Sequence, residues 1–149
     1  MKYLRTPTMA WILITLTLHL AWEFFQLPLY ALWNNGNYQT ITSATLHCTL
    51  GDGLISAVVW VTVAALLRNR GWLLGDIRRG GIIAWPLGMV YTLWSEWRNV
   101  YLLGSWQYAD SMPTIVGIGL SPLLQWMLVP PFSWLLLRHF VARFSVPPG

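Results

Sequence analysis

"AWILITLTLHLAWEFFQLPLY", residues 10–30, is the stretch whose reading decides the fold. Its apolar content and length suit a helix that crosses a membrane, because about 20 such residues span about 30 Å of hydrocarbon. Yet it carries His19 and Glu23 one helical turn apart, followed by Gln26. A charge at that depth costs at least about 2.5 kcal/mol on insertion scales, so these side chains require partners, water or a ligand.

The rest of the chain has the same character. Of its 149 residues, 56% are hydrophobic and only 9% are charged, against about 25% charged in soluble domains. The mean hydropathy is +0.51. The length suits a single domain over 1–149. A net charge of +4 does not indicate nucleic acid, because the basic residues fall in short clusters between apolar runs. Cys48 is the only cysteine, so no internal disulfide forms. The absence of a G-x-G-x-x-G or Walker-type loop argues against nucleotide chemistry.

Four stretches, about 9–32, 41–67, 82–103 and 113–137, are long and apolar enough to span a bilayer, and short connections make neighbours antiparallel. The expected fold is all-α: a polytopic, up-down bundle of four transmembrane helices. Lys2 and Arg5 precede the first helix, Arg68, Arg70, Arg78 and Arg79 fill the second connection, and Arg138 and Arg143 follow the fourth. The other connections, "NNGNYQT" and "GSWQYADSM", hold no basic residue. Both termini are therefore expected in the cytoplasm of a multi-pass protein of the cell inner membrane. No small-residue cleavage site follows the first helix, which is expected to persist rather than act as a signal peptide.

Counting along the helices sorts the polar residues by depth. From the inner face, His19 lies about 15 Å in and Glu23 about 21 Å. His47, Asp52 and Glu96 fall at about 21, 13 and 21 Å, and Gln125 lies near the midplane. All four helices thus supply polar groups to one slab in and just outside the middle of the membrane. His19, Glu23, His47, Asp52 and Glu96 are the expected catalytic groups. Asn99 shares a helical face with Glu96, whereas Arg98 is about 200° away from it and is expected to snorkel outward or to pair with another helix. Each of these polar residues could alternatively hold helices together, at about 0.6 kcal/mol per contact.

Eleven tryptophans are present. Trp33 and Trp106 suit the outer interface, and Trp11, Trp72 and Trp134 the inner one. Trp22, Trp94, Trp97 and Trp126 fall near the depth of the polar slab. There they either pack the core or, with Asn99 and Gln125, form the wall of a site for a flat apolar ligand or a developing cation. Pro28, Pro86, Pro122 and the Pro130–Pro131 pair are expected to kink or open their helices. Gly51 and Gly53 are expected to permit close helix packing. Cys48 reads as a small apolar filler and His139 as a solvated or headgroup-facing residue.

The segment "GIGLSPLLQW", residues 117–126, resembles one found in small bacterial membrane proteins of uncharacterised function. The chain is more remotely similar to the four-helix emopamil-binding family, which includes the sterol 8,7-isomerases. The shared elements are His19-x-x-x-Glu23 on the first helix, Glu96 on the third, and a fourth-helix amide followed by Trp and Pro, here Gln125, Trp126 and Pro130. The chain departs from that family in carrying glutamine where asparagine stands and in adding His47 and Asp52. The resemblance implies acidic residues that move protons and aromatic residues that line a sterol-sized cavity.

Three functions follow as expectations. One is isomerase-like acid–base chemistry on an apolar lipid or isoprenoid, with Glu23 and Glu96 as proton donor and acceptor and the histidines orienting or relaying. A second is a non-catalytic subunit or lipid-binding partner within a larger membrane complex. A third is an intramembrane metal or haem site, held by His19, Glu23, His47 and Glu96. No cofactor is required by the first two. The expected partners are membrane lipids, an apolar small molecule and other membrane subunits, with no nucleic acid.

Overall fold

A computed structural model of the chain describes residues 2–144, with side chains for 7–141. The side chains of Lys2, Arg5 and Arg143, which enter the orientation argument, lie outside the described residues. Four helices exceed twenty residues: α1 (Lys2–Gln26), α3 (Tyr38–Leu66), α5 (Ile77–Trp97) and α6 (Leu120–Phe144). Two single-turn helices, α2 (Leu32–Asn35) and α4 (Trp72–Gly75), lie in the connections, and a hairpin of β1 (Thr114–Ile115) and β2 (Ile118–Gly119) precedes α6.

Three helical segments are long and apolar enough to cross a membrane: Pro7–Leu29, which is α1 with the helical turn after it, Tyr38–Leu66, which is α3, and Leu120–Val141 of α6. α5 does not join them. It opens on Arg78 and Arg79, carries Pro86 and ends beside Glu96 and Arg98. Large apolar side chains nevertheless face outward along its length, Ile82 and Val90 among them, as do Leu13 and Phe25 on α1 and Leu50 and Leu54 on α3.

The buried positions recur every three or four residues, which puts each set on one helical face. On α1 they run through Trp11, Thr15, His19 and Glu23 to Gln26; on α3, through Thr45, Thr49, Ser56 and Val63, with Ala64 beside it. On α5 they are Gly80, Gly88, Thr92 and Glu96, and on α6 the stripe runs through Ser121, Gln125, Val129, Ser133 and Leu137, with Pro122, Leu123 and Trp126 buried beside it. Each stripe is polar at one end and apolar at the other. α3 and α6 run opposite to α1, so like ends meet. Trp11, Val63, Ala64, Trp72, Leu73 and Leu137 pack into an apolar core, and the carboxylates and amides gather at the other end.

Small residues set the separations. A Cβ on Gly53 would lie 2.5 Å from Leu16 Cδ2, so α1 and α3 approach closely there, whereas Gly51 faces open space. A Cβ on Gly88 would lie 2.5 Å from Trp126 Cε3, so α5 is notched where α6 presents that indole.

Several boundaries differ from the sequence expectation. α1 stops at Gln26, because Pro28 enforces a short 3-10 turn over Leu27–Leu29. α5 starts at Ile77 and passes into a π-helical turn at Arg98–Leu102. Residues 113–119, expected as the start of the fourth helix, form the hairpin instead, because Val116 (φ 52°) and Gly117 (φ 80°) make a tight reversal. Pro122 then sits in the first turn of α6, where no amide hydrogen is needed. Pro86 and Pro130–Pro131 lie inside continuous helices rather than ending them.

Candidate functional site

His19, fully buried, and Glu23 project from successive turns of α1 into the polar end of the core. Gln125 of α6 meets both. Its Nε2 lies 3.0 Å from His19 Nδ1, and it donates to Glu23 Oε1 (3.2 Å) and to Asp52 Oδ2 (2.8 Å). One amide nitrogen thus joins a histidine and two carboxylates drawn from α1 and α3.

Hydrogen counting defines the arrangement further. The amide has two hydrogens, which suffice for the two carboxylates. A hydrogen on His19 Nδ1 then faces Asp52 Oδ2 at 3.4 Å. That tautomer leaves His19 Nε2 as an acceptor opposite Ser56 Oγ, 3.5 Å away.

A second tier supports the first. Gln26 donates through Nε2 to Glu23 Oε1 (2.8 Å) and accepts through Oε1 from Ser121 Oγ (2.8 Å). Ser121 in turn accepts from Trp22 Nε1 (3.2 Å). Trp126 donates from Nε1 to Asp52 Oδ1 (3.2 Å) while its ring tilts against His19.

Glu96, buried on α5, has a separate partner. Tyr108 donates its phenolic hydrogen to Glu96 Oε2 at 2.6 Å. Tyr108 is held by extended pairing of its segment with the chain after α1: Ala31 N donates to Gln107 O (3.0 Å) and Ala109 N to Leu29 O (3.0 Å). The rings of Tyr30 and Tyr108 lie 5.7 Å apart. Burial, and then the hydrogen bond to the Glu96 carboxylate, push the Tyr108 phenol above its ordinary pKa.

The residues expected to form the site are therefore sorted into groups. His19, Glu23, Asp52, Gln125 and Trp126 come together directly, with Trp22 one hydrogen bond further out. Glu96 sits in the adjoining tyrosine pair. His47 does not join: it is exposed on α3, because it falls two residues, about 200°, from the buried Thr45 and Thr49 on either side. Trp94 and Trp97 are about half exposed on the outer face of α5, and the Arg98 guanidinium lies over Trp94 rather than pairing with another helix. Asn99 donates to the Ser95 carbonyl (2.8 Å) within its own segment. Cys48 is half-buried and free, and His139 is exposed.

Ser56, Ser121, Gln26 and Tyr108 were not among the expected site residues. The first three are marked by helical spacing, with Gln26 three residues after Glu23, Ser56 seven after Thr49 and Ser121 four before Gln125. Tyr108 lies in a connection without periodicity, and no sequence pattern marks it.

Among the described residues, no group of three or more His, Cys, Asp and Glu side chains is placed to hold a metal ion. Of the expected ligands, His47 is exposed on α3, whereas His19, Glu23 and Glu96 are buried. Chemically, the cluster offers two carboxyl groups and an imidazole on one amide, an arrangement suited to donating, accepting and relaying protons away from water. No family model matches the chain, and neither a curated protein nor a solved structure is found to be similar to it.

Proposed function

We propose that this chain is a four-span protein of the cell inner membrane, both termini cytoplasmic, that carries out acid–base chemistry on an apolar lipid or isoprenoid. The observation that carries the reading is the contact of Gln125 Nε2 with His19, Glu23 and Asp52. Ionisable side chains buried among apolar helices are expensive, and their gathering on one amide gives them a common purpose. α5 completes the bundle as the fourth span, its arginines at the inner end and Glu96 at the outer.

In the reaction, one carboxyl group protonates a carbon–carbon double bond and a second group removes a proton from the neighbouring carbon, so the double bond moves without any change of redox state. Glu23 is the donor, recharged through Asp52 and His19, and Glu96 with Tyr108 is the acceptor. The faces of Trp22 and Trp126 favour the intermediate cation. The His19–Glu23, Glu96 and Gln125–Trp126 spacing, similar to that of the emopamil-binding family, supports this assignment.

A lipid-binding or structural subunit is the second reading. It is favoured by the half-exposed rings of Trp94 and Trp97, which could meet a neighbouring protein or lipid.

Deuterium transfer distinguishes the two. Membranes holding the wild-type protein, incubated in D2O, should place deuterium on carbon in one extracted lipid class. Glu23→Gln, which keeps shape and removes the ionisable group, should reduce that incorporation at least about a hundredfold while the protein stays folded. Equal incorporation in wild type, Glu23→Gln and membranes without the protein rejects the enzymatic reading.

A further inference from the structure

Beyond the polar cluster, toward the apolar end of the bundle, lies a cavity of about 210 Å³. Six indoles line it, those of Trp11, Trp60, Trp72, Trp85, Trp126 and Trp134. Two wall residues, Trp126 and Ser56, also belong to the polar cluster, where Ser56 meets His19 and Trp126 meets His19 and Asp52. The cavity and the ionisable groups are therefore separated by a single layer of side chains.

The wall contains two polar groups without partners. Thr15 is buried and its Oγ1 makes no hydrogen bond, and the same holds for the Trp60 indole nitrogen. Buried polar atoms left unpaired are uncommon and point to something absent. An indole N–H can only donate and a threonine hydroxyl can donate or accept, so the group that satisfies them is an acceptor oxygen.

We infer that this tryptophan-walled cavity binds a flat, unsaturated hydrocarbon group carrying one hydroxyl or carbonyl oxygen, and presents it to His19 through Ser56 and Trp126. Indole faces suit a planar group. A cavity of about 150 Å³ holds benzene, so the space here suits a body of about two fused rings. The inference adds a substrate class to the proposed acid–base function and rests on that reading for the ligand's orientation toward His19.

Gly81 supplies a clean test, because it lines the cavity and a Cβ placed there meets nothing within 4 Å. Gly81→Leu therefore adds bulk at the cavity wall from a position where the new Cβ meets no clash. Quenching of tryptophan fluorescence by 6-bromo-2-naphthol, 2-bromonaphthalene and 1-bromodecane would be titrated on the full chain in detergent micelles. The inference expects saturable binding of bromonaphthol, tighter than either other probe, and its loss in Gly81→Leu. Thr15→Val should weaken bromonaphthol about fivefold and leave bromonaphthalene unchanged, the effect of one hydrogen bond.

Equal quenching in wild type and Gly81→Leu, or binding of bromodecane as tight as bromonaphthol, overturns the inference; the latter identifies the space as a slot for lipid chains. Because binding needs no turnover, either result leaves the acid–base reading standing. Binding as expected, together with deuterium transfer undiminished by Glu23→Gln, rejects that reading and leaves the cavity's ligand class in place.

Discussion

Trp126 lies across His19, with ring centroids 5.4 Å apart and planes tilted by 43°, while its Nε1 holds Asp52 Oδ1 at 3.2 Å. One indole thus fixes two ionisable side chains from different helices. It can do so because Gly88 on a third helix leaves room for its ring.

Gly88→Ala tests that dependence. The added methyl would lie 2.5 Å from a rigid ring that also packs against His19, so the ring or the helix must shift. Overpacking of this kind costs about 1–3 kcal/mol. Thermal unfolding in detergent should show a lowered midpoint for Gly88→Ala and an unchanged or higher one for Gly51→Ala, whose new methyl meets open space. Matching midpoints would show that the notch does not position Trp126.

Gln125→Leu removes the donor shared by the two carboxylates, leaving Glu23 with Gln26 alone and Asp52 with Trp126 and the longer His19 contact. Destabilisation of about 3 kcal/mol or more is expected, the range for breaking a buried network of charged groups. Glu23→Gln introduced alongside it should recover part of the loss, because one of the stranded carboxylates is gone. Additive effects in the double-mutant cycle would contradict a shared network.

Thr15→Val should do the opposite. It removes a buried hydroxyl that has no partner and keeps the side chain's shape. The ligand-free protein should gain about 1 kcal/mol in stability, read as a higher unfolding midpoint. A loss would mean that the hydroxyl is paired after all.

The Tyr108 phenol gives a pH prediction with a definite sign. Its pKa is raised in the folded chain from the ordinary 10.0, so between the unfolded and folded values only the folded state keeps the proton. Stability from this group is complete below about pH 10 and falls as pH rises beyond it. A phenolate there would also face the Glu96 carboxylate, with Tyr30 and Tyr101 as further ionisable neighbours. Unfolding midpoints measured at pH 9 and pH 11 should drop more in wild type than in Tyr108→Phe; parallel drops would remove Tyr108 as the cause.

The proposed orientation places Asn35 outside and Arg70 in the cytoplasm. Both are exposed in connections, so cysteines introduced there are accessible without disturbing packing. Asn35→Cys should react with an impermeant maleimide in intact cells and Arg70→Cys only after lysis. The reverse pattern would invert the protein.

Much of this arrangement is legible in the sequence because burial follows helical spacing. His19 and Glu23 share a stripe with Trp11 and Thr15, and Gln125 shares one with Ser121 and Val129. Depth alone was a poorer guide than phase: His47 lies at about the same height as Glu23 but points outward, as its offset from Thr45 and Thr49 requires. The hairpin at 113–119 and the Tyr108 segment follow turn geometry and long-range pairing, which leave little trace in hydropathy. Hydropathy also does not reveal the notch at Gly88 on α5, which shows only in the close approach of Trp126.

The amide that joins the cluster lies on the last long helix. Gln125 is 106 residues beyond His19, 102 beyond Glu23 and 73 beyond Asp52. During synthesis from the N-terminus, α1 and α3 are therefore complete well before their common donor exists. Until α6 arrives, the two carboxylates and the imidazole must keep other company, each at a cost of about 2.5–3.5 kcal/mol if left facing lipid. Docking of the final helix discharges that cost in one step, so assembly should be late and abrupt, and a chain halted before Leu120 should be recognised by the cell as unfinished.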